Sequence, residues 1–299
     1  MISSASGSEK CANLLSTVRV VQMGILNLTP DSFSDGGRYC SAHAAVEHSL
    51  KLVSHGACII DVGAVSTRPG AAPVDHHTEW QRVHETLREL RRALPEEILI
   101  SLDTYAPEVA FRAADEGLID IINDVNASQV HISKVAFESD SDREATWTTA
   151  HIAARYDLGL ILMHMQGNPQ SMQIAPRYDD CIGEISAFLR DRLQFAKSHG
   201  VKWCAVDPGI GFGKTLEHNL SLLTKESFAR LQELDAPILI GLSRKSFLKK
   251  LAERDVESIA FASPADEELW RDQQSLHWEQ ACIGWGARII RTHAIKSFS

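Results

Sequence analysis

The sequence predicts a single (β/α)8 barrel of the TIM type, and two observations carry that prediction. Eight short apolar runs are spaced along the chain, and amphipathic stretches lie between most of them. The runs cover residues 19–26, 58–60, 98–102, 118–122, 158–163, 203–206, 237–242 and 286–290. They are rich in Val, Ile and Leu and do not alternate with polar residues, which is typical of parallel strands buried on both faces. Eight such strand–helix units in one chain fit one closed barrel.

Two of the stretches between these runs have the spacing of amphipathic helices. Apolar side chains three and four residues apart mark one face of a helix. The first stretch carries Trp80, Val83, Leu87, Leu90 and Leu94, and the second carries Ile185, Phe188 and Phe195 together with Arg192. Each stretch therefore predicts a helix with one buried face.

One domain is predicted from residue 17 to residue 299, after a flexible tail over residues 1–16. Residues 127–150 are acidic and rich in serine, and they interrupt the fourth unit as a surface insertion. Only eight residues follow Arg291. The final helix is therefore expected to be short or missing, because isolated helices below about 12 residues are marginally stable. We expect a partner subunit to cover that face, or the natural chain to be longer.

Composition narrows the class of protein. Hydrophobic residues make up 44% of the chain, which is enough for a large core, and the formal net charge is −9. That charge argues against a nucleic-acid partner, which requires clustered Lys and Arg. The six cysteines are scattered without a CxxC pair and suit reduced thiols. No apolar leader and no run of about 20 apolar residues occurs, so we expect a cytoplasmic protein without a membrane partner.

Each apolar run ends at a polar residue, and the carboxyl ends of barrel strands meet at one mouth where active sites lie. Three of these residues are the acceptors or amides Asp103, Asn123 and Asp207. Such groups suit an aminopyrimidinone ring, whose edge carries alternating donors and acceptors. The alternative is that each side chain caps the next helix, as Asp and Asn after strands commonly do.

Cationic residues follow the last two runs. Arg244, Lys245, Arg291 and His293 stand after the seventh and eighth strands, where barrels often bind phosphate. The guanidinium group offers a planar fork for phosphate oxygens, and lysine offers a point charge. For His293 the alternative is an ordinary surface or core histidine.

Two segments rich in turn-forming residues, 29–37 and 66–70, follow the first and second strands. We expect both to overhang the mouth as mobile loops.

Eight segments in order along the chain resemble dihydropteroate synthase, the folate-pathway enzyme that sulfonamides inhibit. They are MGILNLTPDSFSDGG (23–37), DVGAVSTRPGA (61–71), SLDTYAPEVA (101–110), IINDV (121–125), LMHMQGNPQSMQ (162–173), DPGIGFGKTLEHNLSLL (207–223), GLSRKSFL (241–248) and RTHAI (291–295). Together they span nearly the whole chain. The resemblance implies condensation of 6-hydroxymethyl-7,8-dihydropterin diphosphate with p-aminobenzoate, with release of pyrophosphate.

The same resemblance implies a role for each site residue. Asp103, Asn123, Asp207 and Lys245 hold the edge of the pterin, and Arg291 stacks on its face. The diphosphate is bound by Asn27, Arg68, Arg291 and His293, and Asn27 also contacts Mg²⁺. The p-aminobenzoate site is lined by Phe33, Thr67, Arg68, Pro69, Phe212 and Ser246. Catalytic roles fall to Asp103, Lys245, Arg68 and Asp35.

The resemblance also implies a homodimer and sensitivity to sulfonamides. Three departures from the family pattern are visible. Val65 stands where the family usually has Glu, Tyr105 and Ala106 replace a common Ser-Lys pair, and the insertion at 127–150 displaces a Gly-Gly turn. None of them removes a residue assigned above.

Two other functions stay open from the sequence. A pterin-binding methyltransferase that acts on methyl-tetrahydrofolate has a similar barrel and pterin edge, but it needs neither the SRK and RTH segments nor the two loops. A scaffold that has lost synthesis predicts damage at Asn27, Arg68, Lys245 or Arg291, and all four are intact.

Overall fold

Eight parallel strands close into one barrel in the computed structural model of the chain. The structure describes residues 5–28, 37–66, 74–132, 147–255, 261, 263–296 and 298, without the side chains of 37–41 and 252–255. The strands are β1 (Val21–Asn27), β2 (Ile59–Gly63), β3 (Leu99–Asp103), β4 (Ile121–Asp124), β5 (Gly159–Met163), β6 (Cys204–Asp207), β7 (Ile238–Ile240) and β8 (Ala287–Thr292). Each strand pairs with the next, and β1 also pairs with β8. The predicted TIM barrel is confirmed.

Helices alternate with the strands, and at least one described helix stands between each pair of successive strands. They are α1 (Gly7–Thr17), α2 (Gly37–Ser54), α3 (His76–Ala93), α4 (Pro107–Asp115), α5 (Thr149–Arg155), α6 (Cys181–Ser198), α7 (Leu216–Leu222), α8 (Lys225–Gln232), α9 (Ser246–Asp255) and α10 (Pro264–Gly284). In α3 the predicted apolar face is buried from Trp80 to Leu90 and continues to Leu94 at the helix end. Asp75 caps this helix by accepting a hydrogen bond from the backbone N–H of Thr78.

Helix α6 buries a face one position away from the predicted one. Its buried apolar side chains are Ile185, Leu189, Leu193 and Ala196. Phe188 and Phe195 are only partly buried, and the guanidinium carbon of Arg192 lies 4.3 Å from the centre of the Phe195 ring. Except for Ile185 the predicted face is therefore wrong, because its aromatic residues flank the buried stripe.

Residues Gly7–Thr17 form a helix where the sequence predicts a flexible tail. A capping box at Ser6 and Glu9 begins α1, and the buried Cys11 joins the apolar cluster at the amino ends of the strands. Lys10 pairs with Asp120 at 3.1 Å, just before β4. The helix is ordered because it covers the bottom of the barrel.

The described residues that follow β8, which are 293–296 and 298, form no helix. Lys296 is tied to β1 by its backbone, since its N–H donates to Gln22 Oε1 at 2.9 Å and its carbonyl accepts from Gln22 Nε2 at 2.8 Å. Ile295 and Phe298 pack against the core. This segment thus lies along the seam between the first and last strands.

None of the helices that the structure describes is long and apolar enough to cross a membrane.

Candidate active site

The interior of the barrel changes from apolar to polar along the strands. Near the amino ends, every strand contributes to one apolar layer, which consists of Val21, Met23, Ile59, Leu99, Ile121, Ile161, Ala205, Leu239 and Ile289. Side chains two residues further along a strand point to the same side. On β2, β4, β6 and β8 those next positions are Asp61, Asn123, Asp207 and Arg291. The polar layer therefore lies directly above the apolar one, at the mouth.

A network of charged hydrogen bonds joins four strands of this layer. Arg291 donates from Nε to Asp61 Oδ2 at 2.6 Å and from Nη2 to Asp103 Oδ2 at 2.7 Å. Asp61 also accepts from Ser101 Oγ at 2.6 Å and from Asn123 Nδ2 at 3.2 Å. Burial raises the pKa of Asp103 to about 7, and the positive charge of Arg291 opposes that rise.

Helix capping does not account for the predicted acceptors. Helix α4, which follows β3, has Ala106 at its N-cap and no side-chain cap bond, so Asp103 caps nothing there. Asn123 donates into the barrel to Asp61. Only Asp207 makes a local bond, by accepting from the backbone N–H of Gly209 at 2.7 Å.

Asp207, Lys245 and Phe212 form the second half of the mouth. Burial raises the pKa of Asp207, with Lys245 opposing the rise, and burial lowers the pKa of Lys245 to about 8 with Asp207 opposing that fall. Lys245 Nζ lies 4.8 Å from the centre of the Phe212 ring and donates to the carbonyl of Ile210. Phe212 packs beside a small apolar cluster of Val125, Met163, Met165 and Met172. A charged group and an apolar ring surface thus lie side by side.

The loop that follows β6, residues 208–213, is fixed by a buried lysine. Lys214 is 2% exposed, and its Nζ donates to the carbonyls of Gly209 at 2.9 Å and Phe212 at 3.0 Å. Its third partner is His164 Nδ1 at 3.1 Å. Burial lowers the pKa of Lys214 to about 7 and that of His164 to about 3, so the ring of His164 is neutral and accepts.

The cations after β7 and β8 separate into two groups. Arg244 turns away from the mouth, with Nε and Nη2 each 3.1 Å from a carboxylate oxygen of Asp272 on α10, and it also pairs with Glu268. The prediction that Arg244 belongs to the phosphate group is therefore wrong, because two carboxylates of α10 hold its guanidinium group. His293 stays at the mouth, where its backbone N–H donates to Ser243 Oγ at 3.1 Å and its Nδ1 lies 3.0 Å from the same oxygen.

Comparison with known proteins assigns this constellation to a family. A model of the pterin binding enzyme family matches residues 23–293. The dihydropteroate synthase of Escherichia coli K12 is 38% identical over 276 residues, which cover 92% of this chain and 86% of the E. coli protein. The chain belongs to the dihydropteroate synthase family. It is therefore an enzyme of the transferase class.

Solved structures agree with that assignment. The dihydropteroate synthase of Yersinia pestis, solved as a complex with a sulfonamide drug, has a TM-score of 0.75 and 34% identity, covering 93% of this chain and 90% of that one. The Xanthomonas albilineans dihydropteroate synthase, solved with 4-aminobenzoic acid, has a TM-score of 0.73 and 34% identity. It covers 93% of this chain and 88% of the other.

Several residues that the family resemblance implies lie outside the described residues. They are Phe33, Asp35, Thr67, Arg68 and Pro69. Of the other predicted residues, Asn27 ends β1 opposite Gly63, and Ser246 begins α9 directly after Lys245. Among the described residues there is no group of three or more His, Cys, Asp or Glu side chains placed to hold a metal ion.

Two residues of this dihydropteroate synthase site are missing from the sequence-based prediction. Asp61 follows an apolar run as the other polar residues of the mouth do, but the family resemblance gives it no role, and β2 continues past it to Gly63. The alternation from Ile59 to Asp61 is the signal that places it inside the barrel. Lys214 has no comparable signal, because a lysine after a glycine-rich turn is usually exposed.

Proposed function

We propose that this protein joins 6-hydroxymethyl-7,8-dihydropterin diphosphate to p-aminobenzoate, giving 7,8-dihydropteroate and pyrophosphate. The observation that carries the proposal is the convergence of acceptors and cations at one end of the barrel, with Asp103 and Arg291 in direct contact. The family match over residues 23–293 supports the same reaction.

The acceptors hold the pterin edge. Asp103 and Asp207 are carboxylates that accept from ring N–H and amino groups, and Asn123 offers its carbonyl oxygen beside them. Lys245 donates to ring acceptors. Because the site is largely buried, these groups are pre-oriented and need no rearrangement as charge develops on the ring.

The cations bind the diphosphate and assist its departure. Arg291 and His293 face the mouth from the end of β8. Together with Arg68 they bind the diphosphate. As the bond from the methylene carbon to the diphosphate oxygen breaks, negative charge grows on the leaving group. Cationic donors next to that oxygen lower the barrier because they neutralise the growing charge.

Asn27 suits a magnesium ion that is bound mainly by the substrate. Asn27 is the last residue of β1 and is only partly buried, so its side-chain carbonyl oxygen can reach a ligand at the end of the strand. Magnesium typically takes few protein ligands and completes its shell with water and phosphate oxygens. When bound there, Mg²⁺ would neutralise charge on the departing diphosphate.

The p-aminobenzoate site lies beside Phe212. Its ring and the adjacent methionines offer an apolar surface for the benzene ring, and Ser246 lies exposed at the start of α9. Phe33, Thr67, Arg68 and Pro69 complete this site in the proposal, and Asp35 acts on the same side. The arylamine is a weak base and attacks without strong activation, so no nucleophile–base pair is required. Sulfonamides occupy the same site and inhibit.

We extend the proposal to the assembly and the location of the enzyme. It works as a homodimer in the cytoplasm. The cysteines whose side chains are described are all free thiols, which suits a reducing compartment. Analytical ultracentrifugation measures the mass of the particle. A particle with the mass of a single chain, at the protein concentrations used for the activity assay, would contradict the dimer.

Pyrophosphate release tests the reaction. Purified protein is incubated with the dihydropterin diphosphate and Mg²⁺, with and without p-aminobenzoate, and pyrophosphate is measured. We expect release that depends on p-aminobenzoate and stops with a sulfonamide. Pterin binding without release would favour a scaffold or a methyltransferase.

A further inference from the structure

Arg291 lies between two carboxylates that differ in their surroundings. Its Nε is 2.6 Å from Asp61 Oδ2 and its Nη2 is 2.7 Å from Asp103 Oδ2. The Asp61 side chain is completely buried, whereas that of Asp103 is 13% exposed. One partner of Arg291 is therefore sealed inside the barrel, and the other faces the substrate.

Asp61 is held from both of its oxygens. Oδ1 accepts from Ser101 Oγ at 2.6 Å, and Oδ2 accepts from Asn123 Nδ2 as well as from Arg291. The Asp103 side chain, in contrast, has Arg291 as its only hydrogen-bond partner among the residues that the structure describes. A ligand can therefore replace Arg291 at Asp103, but nothing at the mouth can reach Asp61.

The bond from Asn123 also sets the orientation of its amide. A carboxylate only accepts hydrogen bonds, so the side of Asn123 that faces Asp61 must be its NH₂ group. The carbonyl oxygen is then turned away from Asp61. That orientation is the one an N–H donor on a ligand requires.

We propose that Asp61 is a positioning residue, which keeps Arg291 and Asn123 in place while the pterin takes over Asp103. This inference rests on the proposed function. Without substrate, Arg291 bridges both carboxylates, so neither is left buried and unpaired. When the pterin arrives, its N–H donors replace Nη2 of Arg291 at Asp103. Nε stays on Asp61, and the freed part of the guanidinium group turns to the ring and the diphosphate.

A purely structural role for Asp61 predicts a different result. A buried ion pair that only holds strands together would, when weakened, lower the melting temperature and affect both substrates similarly. A positioning role instead makes the loss specific for the pterin.

The test compares Asp61→Asn with Ser101→Ala. The first change keeps the size of the side chain but removes the charge that holds Arg291 and fixes Asn123. The second removes another partner of Asp61 and leaves the bonds to Arg291 and Asn123 intact, so it is the matched control. Calorimetry gives the Kd of the dihydropterin diphosphate without p-aminobenzoate, and steady-state kinetics give the KM of p-aminobenzoate.

We expect Asp61→Asn to raise the Kd of the pterin roughly 10- to 100-fold, because a hydrogen bond to a charged group contributes about that factor to an equilibrium. The KM of p-aminobenzoate should change less than about threefold, and Ser101→Ala should change either constant by no more than that. Unchanged pterin affinity in folded Asp61→Asn protein would overturn the inference. If the wild-type protein bound no pterin, the proposed function itself would fail.

A second measurement covers the case in which Asp61→Asn does not fold. A crystal structure of the wild-type protein with the dihydropterin bound should keep the contact between Arg291 and Asp61 and lose the one between Arg291 and Asp103. An Arg291 that leaves Asp61, or stays on Asp103, overturns the inference.

Discussion

The side chain of Asp103 is 13% exposed at the mouth, and the rest of its carboxyl group is buried. This burial determines the pH at which Asp103 loses its proton. Burial raises its pKa to about 7, Arg291 opposes the rise, and the carboxylates of Asp61, Asp124 and Asp207 add to it. A neutral carboxyl group accepts donor pairs less well than a carboxylate. Pterin capture therefore requires the deprotonated form.

This gives a pH dependence for kcat/KM, which reports groups of the free enzyme. Because the group is active when deprotonated, kcat/KM for the pterin should fall as the pH drops below about 7. In Asp103→Asn the residual kcat/KM should be lower at high pH and should lack this acidic limb. An identical limb in the variant would assign it to another residue.

Lys245 connects the pterin edge with the loop after β6. Its Nζ donates to the carbonyl of Ile210 and lies over Phe212. Lys245→Ala should lower kcat/KM roughly 30-fold or more, because a hydrogen bond from a charged group to the pterin contributes about 2 kcal/mol or more. Lys250→Ala, on the exposed side of α9, is the control. Full activity of Lys245→Ala with an unchanged circular dichroism spectrum would remove Lys245 from the site.

At the scale of elements, the loop 208–213 is tightly held by side chains. Nearly every backbone carbonyl in it has a side-chain partner. Lys214 binds those of Gly209 and Phe212, and Gln173 and Tyr178 bind those of Gly211 and Gly213. The loop therefore presents Asp207 and Phe212 at fixed positions, so the pterin and p-aminobenzoate sites are set by one element.

Gly209 lets this loop approach the end of β5. Replacing it with alanine should destabilise the protein in two ways, by backbone strain and by a clash with His164, and a second glycine allows the two costs to be told apart. Gly209 has φ +69°, and an added Cβ would lie 1.8 Å from the carbonyl oxygen of His164. Gly117 has a similar φ of +66° but open space around it. Gly117→Ala should cost only about 1–2 kcal/mol of backbone strain. Gly209→Ala should cost at least about 3 kcal/mol because overpacking is added.

Urea unfolding measures both variants. Equal losses of unfolding free energy would show that the contact between the loop and β5 contributes nothing beyond strain.

The sequence predicts these elements well where one physical signal dominates. All eight strands and the buried face of α3 follow from apolar runs and helical spacing. Helix α1 has a start signal in the sequence, the capping box of Ser6 and Glu9, but its burial could not be predicted because it depends on the bottom of a barrel that forms from distant residues. Arg244 could not be placed either, since its partners Asp272 and Glu268 lie on a helix that begins 20 residues later.

At the scale of the whole molecule, the barrel concentrates buried carboxyl groups on the side of the mouth. Burial raises the pKa of Asp103, Asp124, Asp207 and Glu79 above their usual values. Buried carboxyl groups of this kind cost stability, and the apolar core offsets that cost. The sequence predicts that the site lies at the strand ends. It does not predict which of these side chains bind each other, because partners such as Asp61 and Arg291 are 230 residues apart in sequence.

The dependence of overall stability on pH should reveal this cost. Glu79 is 3% exposed, its Oε1 has no hydrogen-bond partner among the described residues, and burial raises its pKa to about 7. In the unfolded chain a glutamate loses its proton near pH 4.3. Between these values the unfolded state releases a proton that the folded state keeps, so stability falls as the pH rises and levels off above about 7.

Glu79→Gln removes this loss, because glutamine has the shape of the protonated acid. At pH 5 the variant should be more stable than the wild type by only about 1 kcal/mol, because part of the proton release from the unfolded state has already occurred there. At pH 8 it should be more stable, by up to about 3 kcal/mol, since one pKa unit corresponds to roughly 1.4 kcal/mol. Calorimetric melting at both pH values measures the difference, with Glu96→Gln on the exposed surface as the control. A gain of the same size at pH 5 and pH 8 would mean that Glu79 is already ionised in the folded protein, and the buried mouth would then cost the barrel less than its geometry implies.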